Sequence, residues 1–336
     1  MAGIIAGADV GGTMLKLALF TEEGTLLRKW SVKTPGREEI DTLFSLIGGE
    51  FLKKAEAFKE EYGPLRAAGI NLPGPVKADG HLANCVNLGM DGCYPAIELE
   101  KILGVPCAAA NDANGAALGE AYFGAARGYE NVVMLTLGTG IGSGVIVDGK
   151  LIAGNRGMGG EIGHLVVRPD ETVPCNCGNR GCLEQYASAN GCVRVAKKLL
   201  LEKPETESRL RDIPDFNCKD VFDVAEEGDL IALETLEIFG DTLGLALAHV
   251  FHVIDPDIFV IGGGVSYSGQ IVIDLVEKYF RKYCHIIDEM PEFKLAALGN
   301  DAGVYGAMND AARKRSSAGL ELGRRIMASR NPNYKK

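Results

Sequence analysis

Residues 4–26, IIAGADVGGTMLKLALFTEEGTL, and residues 132–151, VVMLTLGTGIGSGVIVDGKL, carry one pattern twice. Each opens on an apolar run and turns at a glycine–threonine cluster. Each then continues apolar, turns again at Glu22-Glu23-Gly24 or Asp148-Gly149, and enters a third run. Short apolar runs bounded by turn residues read as buried strands, and Asp-Gly favours a tight hairpin. The copies predict two three-stranded meanders, at 4–9, 15–20 and 26–32, and at 132–137, 145–147 and from 151. After the first copy, Ile40, Leu43, Phe44, Ile47, Phe51, Leu52 and Ala55 share a helical face within 38–62. A buried strand at 67–72 follows, stopped by Pro73-Gly74-Pro75, then a loop-rich stretch to about 95, a helix at 96–103 and a strand at 105–110. After the second copy come helices near 188–202, 219–227, 229–252 and 266–283, strands at 258–261 and 294–297, and a last helix from Asp301. The order predicts two similar α/β halves with a cleft between them.

Composition excludes several classes. The chain has 336 residues, 46% hydrophobic and 24% charged, enough for two globular domains. Its net charge of −10 argues against nucleic acid or an anionic membrane as a partner. No stretch reads as a signal peptide, and no apolar run reaches the roughly 18 residues of a membrane span. Nine cysteines, three of them within eight residues, then predict a reduced, cytoplasmic protein with a metal site.

The glycine turns suit phosphate. Asp9-Val10-Gly11-Gly12-Thr13 joins two strands, and successive backbone N–H groups there form an anion nest. Asp9 could hold a hydrated Mg²⁺. Gly138-Thr139-Gly140 repeats the chemistry in the other half. A third run, Gly262-Gly263-Gly264, admits an adenine ring or simply packs a helix start tightly.

Cys175, Cys177 and Cys182, with His164 eleven residues before Cys175, form a Cys₃His set suited to one structural Zn²⁺. His249 and His252 share a helical face and read as structural. Asn111-Asp112 stands at the carboxyl end of a strand, where α/β sites form. It is also a good helix cap, which is compatible with catalysis. Glu161 and Glu184 bracket the cysteine loop.

Five segments together resemble the ROK family of sugar kinases and repressors. They are Asp9-Val10-Gly11-Gly12-Thr13, Asn111-Asp112-Ala113-Asn114, Glu161-Ile162-Gly163-His164, the stretch from Cys175 through Cys177-Gly178 and Gly181-Cys182 to Glu184, and Leu298-Gly299-Asn300-Asp301-Ala302-Gly303 through Gly306-Ala307. They span nearly the whole chain in the family's order. The resemblance implies a duplicated fold of the actin-like ATPase (ribonuclease H-like) type. Residues 1–112 would form a smaller α/β domain, with a helix of about 301–328 packing back on it. Residues 113–300 would form a larger α/β domain carrying the zinc loop. It further implies that Asp112 is the general base and that Gly74, Asn111, Glu161, His164 and Glu184 contact a sugar, with Asn87 beside them. His164 would give one ring nitrogen to zinc and the other to a sugar hydroxyl. ATP with Mg²⁺ would lie on Asp9, Gly11, Gly12, Thr13, Gly138, Thr139, Gly140 and Gly262 to Gly264. Two departures stand out: Met90 where a tryptophan is common, and Met14 where a lysine often follows the first glycine motif, leaving Lys16 as the nearby cation.

The implied activity is ATP-dependent phosphorylation of a hexose by a homodimer. Glucose, giving glucose 6-phosphate, is the expected acceptor, because Gly181-Cys182-Leu183-Glu184 with Tyr186-Ala187-Ser188 resembles glucokinase-like members. N-acetylglucosamine, N-acetylmannosamine, mannose or allose are the alternatives, and another nucleotide or polyphosphate is an alternative donor. A repressor of the family would carry a helix-turn-helix ahead of the first glycine motif, which here begins at Asp9. A non-catalytic sugar sensor would lack the base at Asp112.

Overall fold

The computed structural model describes residues 3–77, 79–85, 88–286 and 288–315. The chain divides into two compact units. One holds the residues up to Glu130, Gly144–Gly160 and the stretch from Ala297; the other holds Asn131–Ser143 and Glu161–Ala296.

The first unit begins with the expected meander, β1 (Ile4–Val10), β2 (Met14–Thr21) and β3 (Leu26–Lys33). The helical stretch that follows is broken. A 3₁₀ turn precedes α1 (Leu43–Ala55), and a second separates it from the single turn α2 (Lys59–Tyr62). Then come β4 (Leu65–Leu72), the hairpin β5 (Leu82–Cys85) and β6 (Met90–Cys93), α3 (Pro95–Leu103), β7 (Cys107–Asn111) and α4 (Asp112–Phe123). The sheet order is β3-β2-β1-β4-β7, with β1, β4 and β7 parallel.

Strand alternation sorts this sheet into two faces. Ala6, Ala8, Ala68, Ile70 and Leu72 pack with Leu43, Ile47 and Phe51 of α1 and Leu99 of α3. Ile5, Phe20 and Ala67 face Val304 and Met308 of the last described helix, Ala302–Arg315. Gly7, Gly69 and Ala108 stand in register across three strands of that second face. A Cβ on Gly69 would run into the Ala307 carbonyl, so this small rung lets the helix lie close. The next rung toward the carboxyl edge is Asp9, Asn71 and Ala110, where the face turns polar.

The second sheet holds β8 (Val132–Leu137), β9 (Ile141–Val147), β10 (Lys150–Leu151), β11 (Ile258–Gly262) and β12 (Glu292–Leu295) in the order β10-β9-β8-β11-β12. Numbered within its own half, that is the order of the first sheet, so the duplication legible in the glycine turns is a duplication of topology. Its helices are α5 (Glu184–Ala187), α6 (Ala189–Glu202), α7 (Cys218–Glu226), α8 (Leu230–Ile254) and α9 (Gln270–Tyr283), and Ala302–Arg315 is α10. Among the described residues, no helix is long and apolar enough to cross a membrane.

Candidate functional site

In the first unit, the carboxyl ends of β1, β4 and β7 lie side by side, the edge at which α/β sheets bind ligands. Asp9 on β1 and Lys16 on β2 are cross-strand partners. Lys16 Nζ stands 3.5 Å from Asp9 Oδ2 and donates to the Asn300 carbonyl at 3.0 Å. Burial pushes the Asp9 carboxyl up, and Lys16 opposes that. Gly303 of α10 lies against this carboxylate: a Cβ there would come within 2.5 Å of Asp9 Cγ.

Asn111 ends β7 and caps α4. Its Oδ1 accepts from the N–H groups of Ala113 at 3.0 Å and Asn114 at 3.2 Å. Its Nδ2 donates to the Gly74 carbonyl at 3.2 Å and to Asp112 Oδ1 at 3.0 Å. Asp112 Oδ1 also accepts from the Ala113 N–H at 2.9 Å. One amide therefore ties Gly74, Asp112 and the start of α4 together. The cap and the candidate base are the same piece of structure.

The glycine turns share one construction. The Gly11 N–H donates to the Met14 carbonyl at 3.1 Å, and the Gly138 N–H to the Gly140 carbonyl at 3.0 Å. The first glycine closes each turn, so outward donors come from the residues after it, Gly12-Thr13 and Thr139-Gly140. Gly262 to Gly264 adjoin the second turn because β8 and β11 are parallel neighbours. Gly263 has φ +82°, and a Cβ on it would clash with the Leu137 backbone. Gly12, Gly138 and Gly264 differ: none has positive φ, and a Cβ on any would meet nothing within 4 Å. Internal packing does not require glycine at these three, and the open side leaves room for a ligand to approach the backbone.

In the second unit, Ile162–His164 forms a 3₁₀ turn held by the Ile162 N–H on Ser143 Oγ at 3.1 Å. The Leu183 N–H donates to the Leu165 carbonyl and the Val167 N–H to the Gly181 carbonyl, each at 2.8 Å. The Cys175 N–H donates to the Asn179 carbonyl at 2.7 Å, closing a tight turn. These bonds gather one ligand atom each from His164, Cys175, Cys177 and Cys182, all within 4.8 Å of one another. Cys177 Sγ and Cys182 Sγ are 3.7 Å apart. A tetrahedral zinc with bonds of about 2.3 Å to sulfur has edges of about 3.8 Å. His164 Nδ1 is buried and has no hydrogen-bond partner among the described residues. Burial pushes the Cys175 and Cys182 thiols up, so thiolates there require a cation beside them. The donor set fits a single Zn²⁺.

Glu184 joins this cluster to a glycine turn. Its Oε1 lies 2.9 Å from Cys175 Sγ, which can donate to it only while that sulfur carries its proton, and 3.6 Å from His164 Nδ1. A Cβ on Gly140 would stand 2.7 Å from its Oε2. Glu161 is half-buried. Burial pushes its carboxyl up, while His164 draws it down and Glu184 adds to the rise.

Asn87 lies outside the described residues. Sequence reasoning missed Glu120 and Glu171. Glu120 is fully buried in α4. Its Oε2 accepts from the N–H groups of Ala125 at 2.7 Å and Ala297 at 3.1 Å, and its Oε1 from that of Leu298 at 2.7 Å. It ties the end of α4 to the segment entering α10. A lone acid inside the apolar run 113–122 was the available signal.

The ROK family model matches residues 5–314. A glucokinase from Halalkalibacterium halodurans is 36% identical over 308 residues, 89% of this chain and 92% of its own. An N-acetylgalactosamine kinase from a Shewanella species is 33% identical over 310 residues, 90% of this chain and 94% of its own. A solved ROK family glucokinase from Streptomyces griseus, in complex with glucose and AMPPNP, is 34% identical. The match covers 92% of this chain and 99% of that one, with a TM-score of 0.72. The fold is the duplicated, actin-like ATPase type expected from the sequence.

Proposed function

We propose that this chain, which belongs to the ROK family and is an ATP-dependent hexose kinase, phosphorylates glucose to glucose 6-phosphate. The observation that carries the chemistry is the Asn111 amide, which fixes the Asp112 carboxylate at the carboxyl edge of the first sheet. Phosphoryl transfer needs positioning and charge neutralisation more than covalent help. Asp112 accepts the proton of the C6 hydroxyl as its oxygen attacks the γ-phosphorus in line. Asn111 orients that carboxylate, and Gly74 presents its backbone beside it. Glu161, His164 and Glu184 bind the other hydroxyls, and the turns after Gly11 and Gly138 receive the ATP phosphates. Asp9 would hold a hydrated Mg²⁺, which would supply neutralising charge for those phosphates. His164, Cys175, Cys177 and Cys182 would hold Zn²⁺, which would fix the loop leading into Glu184.

The choice of glucose is supported by the glucokinases among the relatives, at 36% and 33% identity. An N-acylhexosamine is the second reading, supported by an N-acetylgalactosamine kinase at 33%. Initial rates with glucose, mannose, allose, galactose and the N-acetylhexosamines at saturating Mg·ATP separate them. Glucose is expected to have the highest kcat/KM; a higher value for an N-acetylhexosamine reassigns the acceptor. Polyphosphate in place of ATP tests the donor. We place the protein in the cytoplasm as a homodimer. Light scattering should give about twice 35.8 kDa, and a single-chain mass across micromolar concentrations rejects the dimer.

A further inference from the structure

Glu171 plays no part in the chemistry above, yet its carboxylate is among the most heavily engaged in the second unit. Its side chain is 8% exposed. Its Oε1 accepts from the backbone N–H groups of Thr172 and Val173, both at 2.9 Å. Its Oε2 accepts from the Tyr186 hydroxyl at 2.6 Å and from the Arg194 guanidinium. Burial alone would favour the neutral acid, but these donors outweigh it and hold the carboxyl down at about 2. It is therefore ionised across the working range, as an acceptor of four bonds should be.

The four donors belong to two stretches of chain. Thr172 and Val173 lead directly to Cys175. Tyr186 lies two residues past Glu184, and Arg194 returns to the same place by donating to the Gln185 carbonyl at 3.1 Å. Gln185 closes the bracing: its Nε2 donates to the Val173 carbonyl at 3.0 Å, and its Oε1 accepts from the Cys182 N–H at 3.1 Å. Glu171 thus ties the chain entering Cys175 to the chain leaving Glu184, whose Oε1 and Cys175 Sγ lie 2.9 Å apart.

We infer that Glu171 is a positioning residue that sets the sugar affinity of this kinase by holding Glu184 against the cysteine cluster. The inference rests on the reading that Glu184 contacts the sugar. Hydrogen bonds to an ionised group are strong enough that their loss moves an affinity roughly tenfold. Glu171→Ala is expected to raise the glucose KM by about that factor, with the Mg·ATP KM within about twofold of wild type and zinc retained. Glu171→Gln, whose amide oxygen still accepts, should recover part of the loss. Tyr186→Phe removes one bond and should shift the glucose KM in the same direction by less; it decides the matter if Glu171→Ala does not fold. A lower melting temperature with unmoved glucose KM would make Glu171 a structural brace only and overturn the inference. So would equal rises in both KM values, or loss of zinc. Glu184→Gln is the control. If it leaves the glucose KM unchanged, the reading of Glu184 fails and the inference with it. If it raises KM while Glu171→Ala does not, the inference alone fails.

Discussion

Tag-free protein is expected to contain about one zinc per chain, and a strong chelator should unfold or inactivate it. The reason lies in the electrostatics of three sulfurs. Cys177 Sγ and Cys182 Sγ stand 3.7 Å apart, and Cys175 Sγ and a histidine nitrogen lie within 4.8 Å of them. Two thiolates at that separation repel by about 4 kcal/mol at an effective dielectric near 20. Protonation would relieve this but would leave His164 Nδ1 buried without a hydrogen-bond partner among the described residues. A structural zinc contributes on the order of 10 kcal/mol, comparable to the whole stability of a domain at about 5–15 kcal/mol. Its removal should therefore collapse the loop rather than loosen it, and sugar affinity should fall because Glu184 and His164 sit in that loop. Cys182→Ser should lose metal, stability and sugar affinity together. Cys284→Ser, at a buried thiol outside the cluster, should keep its metal. Active, folded protein without zinc by elemental analysis would refute the assignment.

The parts of this molecule that were legible in the sequence are those whose cause is local. Each meander is an apolar run, a glycine turn and another run; the first formed where the pattern placed it, while in the second the strand expected at 145–147 already begins at Ile141, inside the glycine run. The four cluster residues could be grouped because the glycines between them let a short chain curl back. Elements without a period were missed. The β5–β6 hairpin occupies a stretch rich in turn residues and read as loop; α5 is a single turn. The helix read from 266 begins at Gln270, because Gly269 at φ +80° ends a separate 3₁₀ turn first. The strand read from 151 ends there: β10 is Lys150–Leu151, and the Ile152 side chain is left 41% exposed. The residues that brace the site were hidden for a different reason. Glu120 meets Ala297 across 177 positions of sequence, a distance at which no spacing rule operates. What a single sequence displays is the turn and the ligand set; what it conceals is the distant acid that holds them.

Asp112→Asn should cost about 10²–10⁴-fold in kcat while largely keeping sugar binding, the range associated with general-base assistance. The substitution keeps the shape of the side chain. Asp112 Oδ1 accepts from Asn111 Nδ2 at 3.0 Å and from the Ala113 N–H at 2.9 Å, and the oxygen of an asparagine amide can accept both. Asn111, the actual cap of α4, is untouched. The helix and the corner with Gly74 should therefore survive, and the amide can still hydrogen-bond a hydroxyl; what it cannot do is take a proton. The competing candidate is Glu161, whose carboxyl is pushed up by burial, with His164 opposing and Glu184 reinforcing the rise. A carboxyl displaced toward neutrality can look like a tuned acid–base group. As a sugar-binding group instead, Glu161→Gln should raise the glucose KM and leave kcat comparatively intact. Steady-state kinetics with glucose varied at saturating Mg·ATP, paired with calorimetric binding of the sugar, distinguishes the two. A large kcat loss confined to Asp112→Asn supports the base assigned here. If Asp112→Asn turns over near the wild-type rate and Glu161→Gln does not, the proton goes to Glu161 and the Asn111–Asp112 corner is only a helix cap.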